Sequence, residues 1–300
     1  MSENLLTETK ALLNHVYWFE QDFLIPPRKK HHGMAINYTD IKERKDDFLK
    51  ELITTVSSWV YSKKKVKELL DERLASVNGD HGNAATFLVG QSFSKFRPGY
   101  PQGQFGELLL FNFIQHFYRA APLLRKQRIT TSCGHERFGA DALHFKQEKN
   151  CNVIILGESK CYKSNYQFGN AFETSLTSII HTFDTIDKEL NLYIYDDFIE
   201  PELEAIAKQY KAGTLKNVRF EMVCLVAYNE KSEVSGDTED ELKESIRKII
   251  AERCSKLDPN KFSKIAERKL NRINYIIFPI WKLDELLSRF QTLVGSEYEA

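Results

Sequence analysis

The chain has 300 residues, of which 42% are hydrophobic and 28% charged, and 20 of them are phenylalanine. This length and composition can bury a sizeable core, which excludes a globally disordered protein. The longest apolar runs, such as Val153–Leu156, are far shorter than the roughly 20 residues that a membrane-spanning helix needs.

Lysines plus arginines and aspartates plus glutamates both number 42, so the formal net charge is zero. Binding of nucleic acid would therefore need a local basic patch or a partner protein. The amino-terminal residues carry acids early and lack the pattern of a secretion signal. Five cysteines at irregular spacing favour a reducing compartment over a disulfide framework. We therefore expect a cytoplasmic protein.

The first part of the chain mixes helical and extended patterns. Apolar residues repeat at helical spacing between Phe48 and Val60. Asp40 and Glu43 have the spacing of a capping box before that helix. The remaining elements predicted here are a strand or short helix at 12–24, a polar loop at 28–33, a helix over 67–74, a loop at 78–83 and a short strand at 87–90.

Three glycines and two prolines within residues 96–106 mark the clearest break in the chain. We place a boundary near residue 98. It separates an N-terminal α/β elaboration, residues 1–98, from a main body, residues 99–300.

Strands and helices alternate in the main body, which predicts an α/β or α+β fold with a mixed sheet. The predicted helices cover 107–118, 169–190, 239–253, 261–270 and 281–293, and the predicted strands cover 140–145, 153–162, 217–227 and 274–280. The chain lacks the P-loop, GxGxxG, GxSxG, HExxH and CxxC motifs, which disfavours the enzyme and zinc-site classes that use them.

The pattern Glu-x-Lys occurs five times in the chain and by itself carries little information. Four occurrences lie in segments predicted to be helical, where residues two apart point to different faces. Glu158 and Lys160 instead end a strand that is predicted to be buried. Alternate strand residues share a face about 7 Å apart, so both side chains can reach one site. A structural ion pair is the alternative interpretation.

Asp141 begins the preceding predicted strand, and a hairpin would bring it beside Glu158. Two buried carboxylates repel each other and are costly to desolvate, and a divalent cation such as Mg²⁺ resolves that conflict. Lys160 beside the metal could orient or deprotonate the attacking water, or stabilise developing charge.

Glu107 opens a predicted helix that is apolar nearly all round and is therefore expected to be buried. It could gain from the helix dipole, or bind the metal directly or through another group.

Several further residues are weaker candidates. A run of basic residues forms either a phosphate-binding patch or a solvated face: Arg119, Arg125, Lys126 and Arg128. Tyr162 and Lys163 follow the motif and are candidates for substrate contact. His144 should point to the strand face opposite Asp141. Cys133, Cys151 and Cys161 lack zinc-site spacing and are expected to be buried free thiols.

Taken together, Glu107, Asp141, Glu158 and Lys160 resemble the PD-(D/E)XK restriction-endonuclease-like superfamily. The fuller pattern FGELLLFNF…FGADALHF…VIILGESKCY is similar to the HamA family, the nuclease subunit of the Hachiman antiphage defence system. The similarity is best over residues 100–190. Gly139-Ala140 stands where the superfamily nominally has a proline, at a position that varies.

The resemblance implies a restriction-endonuclease-like core with a mixed central sheet flanked by helices. It implies a DNA nuclease that depends on Mg²⁺ or Mn²⁺ and works with a superfamily 2 helicase. It further implies that Asp141, Glu158 and the Ser159 carbonyl bind the metal and that Lys160 is catalytic.

Two other readings of the same residues stay open. The chain could be an inactive module of this fold that binds nucleic acid or the helicase, or a structural subunit whose carboxylates hold a cation for stability. Because the net charge is zero, we expect a partner to deliver the DNA, and we expect the N-terminal elaboration to form the partner interface.

Overall fold

A seven-stranded mixed sheet organises the computed structural model, which describes residues 3–40, 42–97, 101–124, 140–163, 168–193 and 200–295. The strand order is β1-β2-β9-β8-β7-β6-β5, and β3 and β4 form a separate two-stranded sheet. The strands are β1 Val16–Gln21, β2 His31–Ile36, β3 Tyr38–Thr39, β4 Lys42–Glu43, β5 Ala121–Leu124, β6 Ala142–Glu148, β7 Cys151–Tyr162, β8 Val218–Glu230 and β9 Ile273–Trp281.

Helices cover both faces of this sheet. They are α1 Lys10–Leu13, α2 Lys45–Thr54, α3 Val56–Val60, α4 Lys63–Ser76, α5 His81–Phe93, α6 Pro101–Tyr118, α7 Phe168–Tyr193, α8 Pro201–Lys211, α9 Glu239–Ser255, α10 Asn260–Ser263, α11 Glu267–Leu270 and α12 Leu283–Val294, preceded by a 3₁₀ turn at Glu3–Leu5. Within the described part of the chain, no helix combines the length and apolarity needed to cross a bilayer.

The parallel strands β2, β9, β8 and β7 form the middle of the sheet, and the antiparallel strands lie at its two edges. Successive residues of β7 point to opposite layers. Ile154 and Leu156 join the apolar cluster that includes α7, whereas Val153 and Ile155 join the cluster that includes α6. The middle strands are therefore buried on both faces, as strands in parallel sheets usually are.

The predicted mixed α/β class is confirmed. The predicted hairpin is also present, because β6 and β7 pair antiparallel with Ala142 opposite Gly157. The predicted helices at 48–60, 67–74, 169–190, 239–253 and 281–293 are present with shifted ends, the first as two consecutive helices.

Two predictions near the amino terminus were wrong. Residues 31–33 belong to β2 instead of a loop, because the buried His31 ring hydrogen bonds within the core. Asp40 and Glu43 do not form a capping box. Asp40 adopts a left-handed turn (φ 56°), and α2 begins at Lys45 without a side-chain cap.

Other element predictions were wrong or incomplete. Phe87–Gly90 lies inside helix α5, whose amino terminus is capped by the Asp80 side chain. Residues 261–270 form two short helices instead of one, and the sequence analysis missed β5 and α8.

Residues 1–98 supply two strands of the main sheet. β2 pairs parallel with β9, with His32 opposite Ile276 and Gly33 opposite Ile277, and β1 pairs with β2. The sheet therefore continues across the boundary placed near residue 98.

Gly157 allows the helix layer to approach β7. A Cβ added at this position would lie 2.9 Å from Ala142 Cβ, Ile114 Cδ1 and Leu110 Cδ2. We expect Gly157→Ala to lower the free energy of unfolding by about 1–3 kcal/mol through overpacking, measured by urea denaturation.

Gly90 in α5 is the matched control, since an added Cβ there meets nothing within 4 Å. We expect Gly90→Ala to raise the free energy of unfolding by about 0.5–1 kcal/mol, because alanine favours helix. Equal effects of the two substitutions would contradict the packing argument.

His31 ties the start of β2 to β9. Its Nδ1 accepts a hydrogen bond from the Tyr275 backbone N–H at 3.3 Å, and its Nε2 lies 3.0 Å from the Pro27 carbonyl oxygen. This pattern fits a neutral ring that donates from Nε2. Burial lowers the pKa of His31 to about 4, with the Pro27 carbonyl opposing the shift.

The lowered pKa predicts a pH-dependent contribution to stability. Between about pH 6.5 and pH 4 the unfolded His31 binds a proton that the folded one does not, so the free energy of unfolding falls as pH falls. We expect the stability advantage of the wild type over His31→Gln to shrink by about 2–3 kcal/mol from pH 7 to pH 4.5. Urea denaturation at both pH values measures it. His181→Gln, at an exposed position on α7, is the control, and an advantage that does not change with pH would refute the prediction.

Candidate active site

The carboxyl-terminal half of β7 carries a buried acid beside a lysine. Glu158 is 2% exposed, and Lys160 Nζ lies 2.7 Å from Glu158 Oε1. The two residues share the strand face that packs against α7, as the alternation of the strand predicts. Lys160 keeps partial access to solvent, so its ammonium group lies at the edge of the buried region.

Asp141 is held directly by the motif strand. Its backbone N–H donates to the Gly157 carbonyl at 2.9 Å, just before β6 begins. Its Oδ2 accepts hydrogen bonds from the Ser159 backbone N–H at 2.9 Å and from the Ser159 hydroxyl at 3.2 Å. Because the N–H and C=O of one strand residue point to the same side, the Ser159 carbonyl is directed to the edge where Asp141 lies.

Helix α6 contacts this strand through a glycine. A Cβ added at Gly106 would lie 3.2 Å from Ser159 Oγ and 3.5 Å from Cys161 Cβ. The missing side chain thus lets α6 pack closely against the residue that holds Asp141.

Glu107 follows Gly106 and is half-buried. The helix that contains it begins at Pro101, not at Glu107, so the expected gain from the helix dipole was wrong. Among the described residues, no three His, Cys, Asp or Glu side chains are grouped to hold a metal. Glu107 therefore does not complete a three-carboxylate site with Asp141 and Glu158.

The carboxylates interact electrostatically. Burial raises the pKa of Glu158 well above its usual range, and the negative charge of Asp141 adds to the rise. Hydrogen bonds from Lys160 and Ser178 oppose it. Burial alone would lower the pKa of Lys160, but the adjacent Glu158 carboxylate raises it.

This donor set fits a hard divalent cation. The Asp141 and Glu158 carboxylates and the Ser159 carbonyl all supply oxygen, which Mg²⁺ and Mn²⁺ prefer. A buried carboxylate (Glu158) and a half-buried one (Asp141) that repel each other are also what a cation would stabilise. Mg²⁺ usually binds through one or two carboxylates and keeps several waters, so a third acid is not required.

Arg119 lies away from these carboxylates. Ala121 pairs with Phe145, which pairs with Ile154. Ile154 precedes Glu158 by four residues, which is about 13 Å along an extended strand. Arg119 precedes Ala121 and is therefore farther still from Glu158.

The remaining candidates are placed as follows. Tyr162 is half-buried and packs against the cluster that includes α7. Lys163 is exposed, with its Nζ 3.8 Å from Asp284 Oδ1. Arg125, Lys126, Arg128 and Cys133 lie outside the described residues.

The predicted structural roles of His144 and the cysteines fit what the structure describes. His144 is buried, and its Nδ1 lies 3.0 Å from the Ala120 carbonyl oxygen. Cys151 and Cys161 are free thiols, and Cys161 is buried as predicted, whereas Cys151 is only half-buried.

Ser178 and Gly106 are the site residues that sequence reasoning missed. Ser178, on α7, is near enough to Glu158 to lower the pKa of its carboxyl group. Nothing in its local sequence distinguishes it from the other serines and threonines of α7, because its role depends on how α7 crosses β7.

The fold and site define a mixed α/β protein in which a carboxylate and a lysine of β7 lie next to a second carboxylate, which directly precedes β6. A model of the HamA family matches residues 14–294, nearly the whole chain. The chain belongs to the HamA family and is an antiphage defence protein of the Hachiman system. A comparison with curated proteins gave no match.

The buried charge predicts a stabilising substitution. We expect Glu158→Gln to raise the free energy of unfolding in EDTA by about 1 kcal/mol, because it removes repulsion with Asp141. Loss of the ion pair with Lys160 costs little stability, since water can solvate the Lys160 ammonium group. Glu239→Gln, which removes an exposed acid paired with Lys243 at 2.7 Å, is the control and should change little. A loss of stability in Glu158→Gln would show instead that the ion pair with Lys160 is structural.

Proposed function

We propose that this chain is a metal-dependent DNA nuclease, the effector of its defence system, with a PD-(D/E)XK core. One observation carries the proposal. Ser159 hydrogen bonds Asp141, which brings Asp141 next to the neighbouring Glu158, and Glu158 in turn pairs with Lys160. Two neighbouring carboxylates, of which Glu158 is buried and Asp141 half-buried, together with a lysine suit hydrolysis of a phosphodiester, in which negative charge develops.

The Asp141 and Glu158 carboxylates and the Ser159 carbonyl would hold Mg²⁺ or Mn²⁺. When bound, such an ion polarises the phosphoryl oxygen and lowers the pKa of water. The Ser159 N–H and hydroxyl fix the position of Asp141, and Lys160 pairs with Glu158. Preorganised ligands of this kind avoid rearrangement during the reaction.

Lys160 supplies the positively charged side chain of the site. Its ammonium lies beside Glu158 at the partly exposed end of the motif. From there it orients the attacking water and stabilises charge on the phosphate. Glu107 on α6 would act with these residues in catalysis, and Tyr162 at the end of β7 would contact the substrate.

We further propose that a superfamily 2 helicase delivers DNA to this site. The zero net charge supports this, because a nuclease that acts alone usually gains affinity from a basic surface. The N-terminal elaboration remains our expected partner interface. Deleting residues 1–95 would not test it, since the deletion removes β1 and β2 from the sheet.

Plasmid cleavage in Mg²⁺, with and without the proposed helicase partner and ATP, tests the nuclease proposal. We expect cleavage by the wild type, and a loss of at least about 10²-fold in Glu158→Ala and in Lys160→Ala. Glu239→Ala, which breaks an exposed ion pair of the same length, should cleave normally.

Cleavage that Glu158→Ala and Lys160→Ala leave intact would refute the assignment of the site. Absence of cleavage under all of these conditions, together with retained binding of DNA or helicase, would favour the inactive binding module. Stabilisation by Mg²⁺ without turnover would favour a structural cation site.

A further inference from the structure

Two segments far apart in sequence meet at the amino-terminal ends of β2 and β9. Lys29 Nζ donates to the Asn271 carbonyl at 3.3 Å, and Tyr275 Oη donates to the Pro26 carbonyl at 3.3 Å. These bonds join residues 26–30 to the segment that leads into β9. The junction carries a group of cations, which we name the basic patch: Arg28, Lys29, Lys30, Arg268 and Arg272.

The basic patch has an excess of positive charge. Arg28 pairs with Asp22 at 3.2 Å. The other four cations have no carboxylate within ion-pair distance among the residues that the structure describes. Glu267 is the one acid within the two segments. Glu221, whose charge reaches Lys29, is already paired with Arg219 at 2.9 Å.

Hydrogen bonds hold the loop that carries Arg28, Lys29 and Lys30. Asp22 Oδ1 accepts from the Leu24 N–H at 2.8 Å, and the Pro27 carbonyl accepts from the Lys29 N–H at 2.8 Å. Lys29 is half-buried, and burial lowers its pKa, with the charge of Glu221 opposing the shift. A loop held in this way loses less backbone entropy when its cations bind an anion.

The strand register gives the separation between the basic patch and the candidate active site. In the sheet register, Glu158 lies opposite Cys224, and Cys224 lies opposite Tyr275. The Tyr275 backbone N–H donates a hydrogen bond to His31. Three strand spacings, about 14 Å, therefore separate Glu158 from His31. That distance corresponds to about four base pairs along a duplex. Lys29 and Lys30 directly precede His31.

We propose that the basic patch binds the phosphate backbone of nucleic acid, as a second contact outside the candidate active site. This rests on the proposed function for the choice of DNA, and the phosphate chemistry comes from the cations themselves. A protein interface needs a contiguous apolar centre, whereas Leu24 is the one large apolar side chain that these loops expose. The observations therefore favour a polyanion over an acidic protein surface.

Fluorescence anisotropy with a labelled 20-base-pair duplex, in EDTA and over a range of salt concentrations, tests this site. The variant is Lys30→Glu/Arg268→Glu/Arg272→Glu, which leaves the half-buried Lys29 in place. The control is Lys67→Glu/Lys95→Glu/Lys248→Glu, which changes the charge equally at exposed positions elsewhere. Thermal unfolding of both variants checks that they fold.

We expect the patch variant to bind the duplex at least about tenfold more weakly. The slope of log K against log salt should also become shallower by about 0.9 for each lost phosphate contact. The control should bind with the wild-type slope. Equal slopes in the patch variant and the wild type, or no wild-type binding at low salt, would overturn the proposal. Displacement of the duplex by polyglutamate at lower charge concentration than by unlabelled duplex would identify an acidic protein as the ligand instead.

This outcome is separable from that of the nuclease proposal. Binding is measured in EDTA and therefore does not depend on catalysis. A wild-type protein that binds DNA through the basic patch but does not cleave plasmid would refute the nuclease assignment alone. Plasmid cleavage by a protein whose basic patch contributes nothing to DNA binding would refute the basic-patch proposal alone.

Discussion

Burial of the Glu158 carboxylate is the constraint on which the surrounding structure depends. A carboxylate that is 2% exposed is costly to desolvate, and a second one beside it adds repulsion. Lys160 and Ser178 compensate part of this cost for Glu158, and the Ser159 N–H and hydroxyl do so for Asp141. What these groups leave uncompensated is the physical basis for expecting a cation.

The sheet gives that arrangement its rigidity. β7 lies between β6 and β8 and is covered by α6 on one face and α7 on the other. Gly106 and Gly157 remove the side chains that would hold α6 away from β7. Site residues on a strand fixed from four sides keep their positions more closely than residues on loops do, as a preorganised site requires.

Local pattern was enough to predict the motif strand and its neighbours. The apolar run before Glu158 and the turn before it predicted the β6–β7 hairpin, which is present. Local pattern failed where long-range contacts override it. His31 lies in a polar sequence yet enters β2, because its ring bonds to Tyr275 across the sheet. Glu107 appeared to open a helix, since prolines and glycines hid the earlier start at Pro101.

The sequence by itself determined the mixed α/β class and the shared face of Glu158 and Lys160, because strand periodicity is a local property. It also determined membership of the HamA family. The tertiary structure alone decided that Ser159 would hold Asp141, that Ser178 would reach Glu158, and that Lys29 would lie against Asn271. These contacts depend on how distant segments cross, and neither spacing nor composition encodes that crossing.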